Sequence, residues 1–259
     1  MIPEQTNIKQ TIIADTAEPV INIKGLYKSF GKNNDILKGV DLTVKKGENL
    51  VVLGKSGSGK SITIKCLVGL VTPDKGEIKV FDTDIATLNN NQLNEIRVRI
   101  GFLFQNSALY DSMTVRQNLE FPLKRHSKKL TPKEVEDAVL EALESVGLAE
   151  AIDKMPSELS GGMRKRIGLA RTLILKPEII LYDEPTTGLD TITSREISEL
   201  ILAIQKKNKT TSIIITHDMA CAKLTADRLV ILKDGVIDAE GTYEELEKSD
   251  DEWVRSFFI

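Results

Sequence analysis

A glycine-rich segment at residues 54–61, which reads Gly-Lys-Ser-Gly-Ser-Gly-Lys-Ser, is the strongest constraint on how this chain folds. It follows the short apolar run Asn49–Leu53 and precedes a helical pattern over residues 60–70. A loop between a buried strand and a helix lets backbone N–H groups converge on an anion, and the positive end of the helix dipole adds to the attraction. The spacing GxxxxGK[ST] therefore predicts a nucleotide phosphate site, in which Lys60 reaches the β- and γ-phosphates and Ser61 ligates Mg²⁺. The predicted phosphate-binding residues are Gly54, Lys55, Ser56, Gly57, Ser58, Gly59, Lys60, Ser61 and Ile62.

Strand and helix patterns alternate along most of the chain, which indicates an α/β fold with a parallel sheet covered by helices. The predicted strands are 20–23, 36–44, 49–53, 179–182, 212–216, 229–232 and 236–240. The predicted helices are 60–70, 131–146, 161–175 and 194–207. Lys233, Asp234 and Gly235 separate the last two strands and predict a hairpin turn.

The middle of the chain differs, because residues 106–176 carry helical patterns and no long apolar strand. We interpret this stretch as a helical insertion. Residues 1–19 are polar, end in a proline and indicate a loose tail. Residues 242–259 form a C-terminal tail, for which we expect helical structure.

Composition narrows the class of protein. The chain has 259 residues, and its 35 Lys and Arg against 38 Asp and Glu do not point to a nucleic-acid partner. Two cysteines, Cys66 and Cys221, are too few for a disulfide framework and lack metal-binding spacing, so a reducing compartment is expected. No apolar stretch approaches the ~18 residues of a transmembrane helix, and the N-terminus lacks a secretory signal pattern. A role at a membrane would therefore need another chain to provide the spanning part.

Two further predicted strands end in groups suited to phosphate chemistry. The strand at 179–182 leads into Asp183, which is placed to hold Mg²⁺ through water, and Glu184, which is placed to act as general base. The strand at 212–216 ends at His217, whose imidazole is placed to donate to the γ-phosphate, at the sheet edge where α/β proteins bind ligands. The other histidine, His126, lies in a basic loop and is expected at the surface.

The order of the motifs carries more information than any one of them. Residues 159–163 read Leu-Ser-Gly-Gly-Met and precede a predicted helix rich in cations. This helix start is either a second anion site or an ordinary helix N-cap. Together with the phosphate loop, Asp-Glu-Pro at 183–185, Gly-Leu-Asp at 188–190 and His217, this order over residues 20–241 resembles the nucleotide-binding subunit of ABC transporters. The resemblance implies an ATPase with a P-loop NTPase (RecA-like) core, an antiparallel β subdomain and an inserted α-helical subdomain.

The resemblance also implies that ATP is bound between two copies of the chain. The phosphate loop of one copy would face Ser160, Gly161 and Gly162 of the other, and Asp190 would lie at the seam. Each chain would then supply half of each of two sites, so a homodimer is expected.

Two more roles follow from the resemblance. Gln105 matches the glutamine that touches Mg²⁺ and the γ-phosphate and relays their presence to the membrane partner. Phe30 matches the aromatic residue that stacks on adenine, since an aromatic face suits a base. The alternatives for this position are a phenylalanine of the core and stacking by Tyr27 instead.

Within the family, two segments resemble the ATPase subunits of Mla/MCE-type lipid transporters. The first is the Ser-Gly-Gly-Met start, in which Met163 replaces the usual glutamine and cannot supply an amide. The second is the stretch 105–115 with Asn118 and Phe-Pro-Leu at 121–123. This branch implies an MlaE-like permease that docks a short helix near residues 108–119. It also implies an MCE protein that carries phospholipid between the inner and outer membranes. The chain itself would be peripheral, on the cytoplasmic face of a bacterial inner membrane.

Other functions are compatible with the same motifs. The first alternative is an ABC ATPase for another substrate, such as an amino acid or a metal. The second is a non-transport ABC protein of DNA repair or translation. The lack of long heptad segments argues against a repair protein, and the single copy of each motif argues against a translation protein. The aromatic C-terminal segment 250–259 is either a helix folded on its own core or an anchor on a partner such as the second subunit.

Overall fold

The computed structural model of the chain describes residues 18–31, 34–126 and 130–259. Most of the expected N-terminal tail, residues 1–17, lies outside the described residues, and Pro19 already opens the first strand. The strands are β1 (Pro19–Ser29), β2 (Asp35–Lys45), β3 (Asn49–Leu53), β4 (Lys75–Val80), β5 (Thr83–Asp84), β6 (Ile100–Leu103), β7 (Ile179–Asp183), β8 (Thr211–Ile215), β9 (Arg228–Lys233) and β10 (Val236–Gly241). The helices are α1 (Lys60–Leu67), α2 (Asn90–Val98), α3 (Val115–His126), α4 (Pro132–Ser145), α5 (Gly161–Leu173), α6 (Thr191–Asn208), α7 (Met219–Thr225), α8 (Tyr243–Glu247) and α9 (Glu252–Arg255).

The central sheet explains why the predicted site residues meet. Its six strands run in the order β10-β9-β3-β8-β7-β6, and all neighbouring pairs except β10 with β9 are parallel. Strands β3, β7 and β8 are buried at every position, as apolar runs without alternation predict. Gln105, Gly54, Glu184 and His217 follow the ends of β6, β3, β7 and β8, so parallel pairing brings them to one edge.

A second, antiparallel sheet of four strands has the order β2-β1-β4-β5 and covers α1 and one face of the central sheet. Its first two strands are longer than the predicted 20–23 and 36–44. The pattern of residues 75–80 does not reveal β4, because Ile78 and Val80 are its only apolar positions. Phe30 lies directly after β1, so this sheet places it beside the phosphate loop.

The segment expected to be helical contains α3, α4 and α5, and its described residues between 106 and 176 form no strand. The prediction for α4 is accurate, since Thr131 and Glu134 form a reciprocal capping box. Helix α5 begins at Gly161 as predicted and ends two residues earlier than expected, at Leu173. Helix α3 contains Pro122 and was not predicted from the sequence.

The last two strands and the C-terminal tail pack on the same chain. Asp234 and Gly235 both have positive φ (50° and 87°), which fits the predicted tight hairpin between β9 and β10. In the tail, Val254 is buried and the rings of Trp253 and Phe257 lie 5.0 Å apart, edge to face. The first expectation for the tail, folding back on its own core, is the one that the structure shows.

None of the helices built from residues 18–31, 34–126 and 130–259 combines the length and the apolar character that spanning a bilayer requires.

Candidate functional site

A cleft of about 600 Å³ opens at the carboxyl edge of the central sheet. Its walls come from the ends of β1, β3, β6, β7 and β8 and from the first turn of α1. Most of the residues predicted to act on ATP line it. The lining residues are Phe30, Ile36, Gly54, Ser56, Gly57, Gly59, Lys60, Ser61, Ile62, Gln105, Glu184 and His217.

The phosphate loop is shaped by close contacts that only glycine permits. Gly54 has a φ of 149°, and a Cβ there would lie 2.4 Å from the Leu232 carbonyl oxygen and 2.7 Å from Ser58 Oγ. The buried Ser58 hydroxyl has no hydrogen-bond partner among the described residues. Helix α1 begins after Gly59 without a side-chain cap, whereas Thr131, Ser160 and Asp190 cap later helices. Uncapped N–H groups at the start of α1 fit an anion at this position.

Lys60 is folded over the loop that it follows. Its Nζ donates to the carbonyl oxygens of Gly54 (2.7 Å) and Lys55 (3.1 Å), and no carboxylate of the described residues forms an ion pair with it. Burial lowers the pKa of the Lys60 ammonium, while the charges of Glu184 and Asp183 oppose that shift. A buried cation held by neutral carbonyls is suited to a phosphate.

Ser61 and Asp183 provide the oxygen donors expected for Mg²⁺. Ser61 Oγ donates to Asp183 Oδ1 over 3.0 Å, which joins the start of α1 to the end of β7. A hydroxyl and a carboxylate are the hard ligands that Mg²⁺ prefers. The residues present therefore fit the ion.

Glu184 is held by several independent contacts. Its φ of 53° lies in the left-handed region, and its N–H donates to the Ile215 carbonyl oxygen over 2.9 Å. Its Oε2 accepts from Thr187 Oγ1 at 3.2 Å and lies 2.8 Å from His217 Nδ1. The carboxylate is thus oriented at the wall of the cleft, next to the predicted histidine.

The two aromatic candidates for adenine stacking differ in position. Phe30 is 46% exposed and lines the cleft, with Lys28 Nζ 5.3 Å from its ring centre. Tyr27 packs on the backbone of Gly39, where an added Cβ would lie 2.9 Å from the Tyr27 hydroxyl, and it is not part of the cleft wall. The geometry favours Phe30 over Tyr27.

The predicted second anion site does not face this cleft. Ser160 caps α5 by accepting from the Met163 N–H, and Asp190 caps α6 by accepting from two backbone N–H groups. The two helix starts touch, since a Cβ on Gly162 would lie 2.6 Å from Thr193 Cγ2. Ser160, Gly161 and Asp190 are exposed and absent from the cleft wall. Two residues of the phosphate loop, Lys55 and Ser58, are also absent from the cleft wall, and they line a smaller depression beside Trp253.

Comparison with known proteins assigns the chain to a family. The family model described as ABC transporter matches residues 37–187, more than half of the chain. The chain belongs to the ABC transporter family. It is an ATPase, and it binds ATP together with Mg²⁺.

Its ABC relatives carry different transport names. The chain is 44% identical over 237 residues to the probable ribonucleotide transport ATP-binding protein mkl of Mycobacterium leprae, covering 92% of this chain and 68% of that protein. It is 39% identical to the intermembrane phospholipid transport system ATP-binding protein MlaF of Haemophilus influenzae, covering 92% and 89%. It is 41% identical to the methionine import ATP-binding protein MetN 4 of Oceanobacillus iheyensis, covering 86% and 65%. The chain thus spans about two thirds of the mycobacterial and methionine-import proteins and most of the MlaF protein.

A similar solved structure is a dimeric ATP-binding cassette in a post-hydrolysis state, bound to ADP and Pi. It has a TM-score of 0.79 and 32% sequence identity, and the match covers 86% of this chain and 98% of that one. That cassette has two features expected for this chain, a bound nucleotide and a dimer.

One residue of this ABC site is not revealed by sequence reasoning. Lys165 on α5 is 5% exposed, and its Nζ donates to the carbonyl oxygens of Gln105 and Glu184, the latter over 3.1 Å. Burial lowers the pKa of Lys165, and the charges of Glu184 and Asp183 oppose the shift. The only sequence signal is the row of cations after Met163, which does not tell which of them turns inward.

Proposed function

We propose that the chain is the ATP-hydrolysing subunit of an Mla/MCE-type transporter that moves phospholipid between the inner and outer membranes of a bacterium. The observation that carries this proposal is the pair of segments that resemble this branch, the Ser-Gly-Gly-Met start of α5 and the stretch 105–118. The coverage of 89% of a relative named for intermembrane phospholipid transport supports it. Its location would be peripheral, on the cytoplasmic face of the inner membrane.

The stretch 105–118 is a loop followed by the first turn of α3, and it folds around one buried side chain. Asn118 is fully buried, accepts from the Tyr110 N–H (2.8 Å), and donates to the carbonyl oxygens of Tyr110, Met113 and Thr114 (3.0–3.1 Å). On the outside of this loop, the half-exposed rings of Tyr110 and Phe121 lie 5.1 Å apart. An exposed apolar patch in the segment that follows Gln105 supports docking of a short helix from an MlaE-like permease. An MCE protein would contact the permease rather than this chain.

We propose the following roles in the cleft. Bound ATP supplies the terminal P–O bond that water cleaves, and Lys60 neutralises charge on the β- and γ-phosphates. Ser61, Asp183 and Gln105 would hold Mg²⁺. Glu184 takes a proton from the attacking water while its carboxylate is oriented by Thr187 and His217. Phosphate and ADP then leave.

We propose in addition that two chains close over two ATP molecules. Ser160, Gly161, Gly162 and Asp190 would bind the nucleotide held by the twin, which accounts for their exposure away from the cleft of their own chain. ATP can close such a dimer only by as much as it binds the closed state better than the open one, and contacts to the opposite α5 supply that difference. The dimeric state of the solved cassette supports this arrangement.

A different cargo is the second candidate function. The relatives named for ribonucleotide transport and methionine import are slightly more similar in sequence to this chain than the MlaF protein is. An ATP site alone does not distinguish one cargo from another, so the permease and its cargo decide between the two proposals.

Co-purification of the tagged chain from native membranes tests the lipid proposal. We expect a multi-span permease and an MCE protein in the complex, together with bound phospholipid that mass spectrometry identifies. Deletion of the aromatic side chains in Tyr110→Ala/Phe121→Ala should release the permease, whereas the exposed control pair Leu70→Ala/Val236→Ala, which is not part of this loop, should not. Recovery with an amino-acid or metal permease and without phospholipid would contradict the proposal.

A further inference from the structure

Helix α5 holds the loop after β6 along one of its faces. Lys165 binds the Gln105 carbonyl, Gly168 lets the loop approach, and Arg171 donates to the carbonyl oxygens of Ala108 (2.7 Å) and Ser107 (3.1 Å). A Cβ on Gly168 would lie 2.8 Å from Ser107 Cβ. These three residues of α5 are spaced by three positions, so they project from neighbouring turns toward the same loop.

The loop needs this support because its backbone is strained. Ser107 and Ala108 have φ angles of 58° and 49°, in the left-handed region that residues with side chains disfavour. Such conformations persist where surrounding contacts fix them. Glu184, across the cleft, has the same kind of φ at 53°. Lys165 donates to one carbonyl in each of these two segments.

Lys165 is also an unusual cation electrostatically. It is almost fully buried, and none of the described carboxylates lies within ion-pair distance of its Nζ. Burying an ammonium without a carboxylate partner costs free energy, and here only carbonyl oxygens and the more distant charges of Glu184 and Asp183 offset that cost. Lys60 is also buried, but it lines the cleft in which the phosphates of ATP are proposed to bind. Lys165 lies outside the cleft wall, so binding of phosphate does not account for it.

We propose that Lys165 is a positioning residue, whose ammonium fixes the main chain of Gln105 and Glu184 relative to each other. The same side chain ties the helix that begins after Ser160 to the hydrolytic residues of its own chain. A nucleotide held by the twin against the start of α5 would then be one helical turn from the contact that orients Glu184. This inference rests on the proposed roles of Gln105 and Glu184 in hydrolysis.

The test uses the full-length chain with Lys165→Met, which removes the ammonium at similar side-chain length. Displacement of a catalytic group by about 1 Å costs on the order of 100-fold in rate, so we expect kcat for ATP hydrolysis to fall 10- to 100-fold. Affinity for the fluorescent probe mant-ATP should change less than about threefold, because Lys165 does not contact the nucleotide. If Lys165→Met does not fold, Lys165→Gln, which is too short to reach both carbonyls, is judged by the same two measurements.

Arg166→Met is the matched control, since Arg166 is the next cation on α5 and binds the Val146 carbonyl and Glu196 instead. We expect it to lower the melting temperature while kcat stays within about twofold of the wild type. Unchanged kcat in Lys165→Met, or an equal loss of kcat in Arg166→Met, would overturn the proposal. Loss of nucleotide affinity in step with kcat in Lys165→Met would also overturn it.

Glu184→Gln, measured beside these variants, separates the two claims. Retained hydrolysis in Glu184→Gln removes the base role on which the inference rests. Lost hydrolysis in Glu184→Gln combined with wild-type hydrolysis in Lys165→Met removes only the positioning role.

Discussion

At the scale of single residues, the site is defined by side chains with unusual surroundings rather than by unusual residue types. Glu184 has a left-handed backbone and a carboxylate fixed by Thr187 and His217. Lys60 and Lys165 are buried cations without carboxylate partners among the described residues. Each of these features costs stability, and the roles proposed for Glu184 and Lys60 in ATP hydrolysis would account for them in these two residues.

Glu184→Gln tests the assignment of the general base. The amide is nearly isosteric and cannot accept a proton from water, so we expect hydrolysis to fall by at least about 100-fold while ATP binding is retained. Nucleotide binding and phosphate release, measured on the same preparation, give both quantities. Glu178→Gln is the control, because Glu178 precedes the same strand at its opposite end and pairs with Arg99. Near-normal hydrolysis in Glu184→Gln would remove this residue from the base role.

The two thiols allow a prediction for reactivity and pH. Burial raises the pKa of Cys66 and of Cys221 to about 11, so both remain protonated at pH 8 in the folded protein. Only the thiolate attacks a disulfide reagent. We expect no labelling by Ellman's reagent at pH 8 in the native state and two thiols per chain after unfolding in guanidinium. Rapid labelling of the folded chain would show that this packing is wrong.

At the scale of helices and strands, local signals decide what the sequence predicts. Strand β3 is predictable because it is a short apolar run, and all five of its positions are buried. Helix α4 is predictable because Thr131 and Glu134 form a capping box that marks its first turn. Helix α3 is not predictable, because Pro122 lies inside it and a proline normally indicates the end of a helix. The motifs also contain every residue that lines the cleft except Ile36, and the roles of these residues in binding and cleaving ATP stay predictions. The motifs do not reveal Lys165, because Arg164 and Arg166 have the same chemistry and only tertiary packing turns one side chain inward.

Among the residues that hold helices and loops together, Asn118 is the one whose loss should lower the stability of the protein most. Asn118→Ala leaves the Tyr110 N–H and the Met113 carbonyl oxygen without their partner, whereas the carbonyl oxygens of Tyr110 and Thr114 keep a backbone N–H donor. Unsatisfied buried groups cost about 1–3 kcal/mol each, so we expect the free energy of unfolding to fall by roughly 3 kcal/mol. Urea titration followed by circular dichroism measures this change. Asn91→Ala, on the exposed face of α2, should stay within about 0.5 kcal/mol. An equal effect of the two substitutions would contradict the described role of Asn118.

At the scale of the whole molecule, the chain presents two separate faces. One is the cleft at the carboxyl edge of the central sheet, with the phosphate loop, Glu184 and His217. The other is the exposed junction of α5 and α6, where Ser160 and Asp190 cap neighbouring helices. Neither face reaches the other within one chain, so the proposed catalysis requires a twin.

Complementation between two inactive variants tests this central claim most directly. Lys60→Ala damages only the cleft, where it weakens ATP binding, and Ser160→Arg damages only the opposing helix start. Each variant alone should be inactive in ATP hydrolysis. A mixture should regain up to about a quarter of the wild-type rate, because half of the dimers are mixed and each of these holds one intact composite site. Full activity in Ser160→Arg alone, or no recovery on mixing variants that fold and dimerise, would contradict the account.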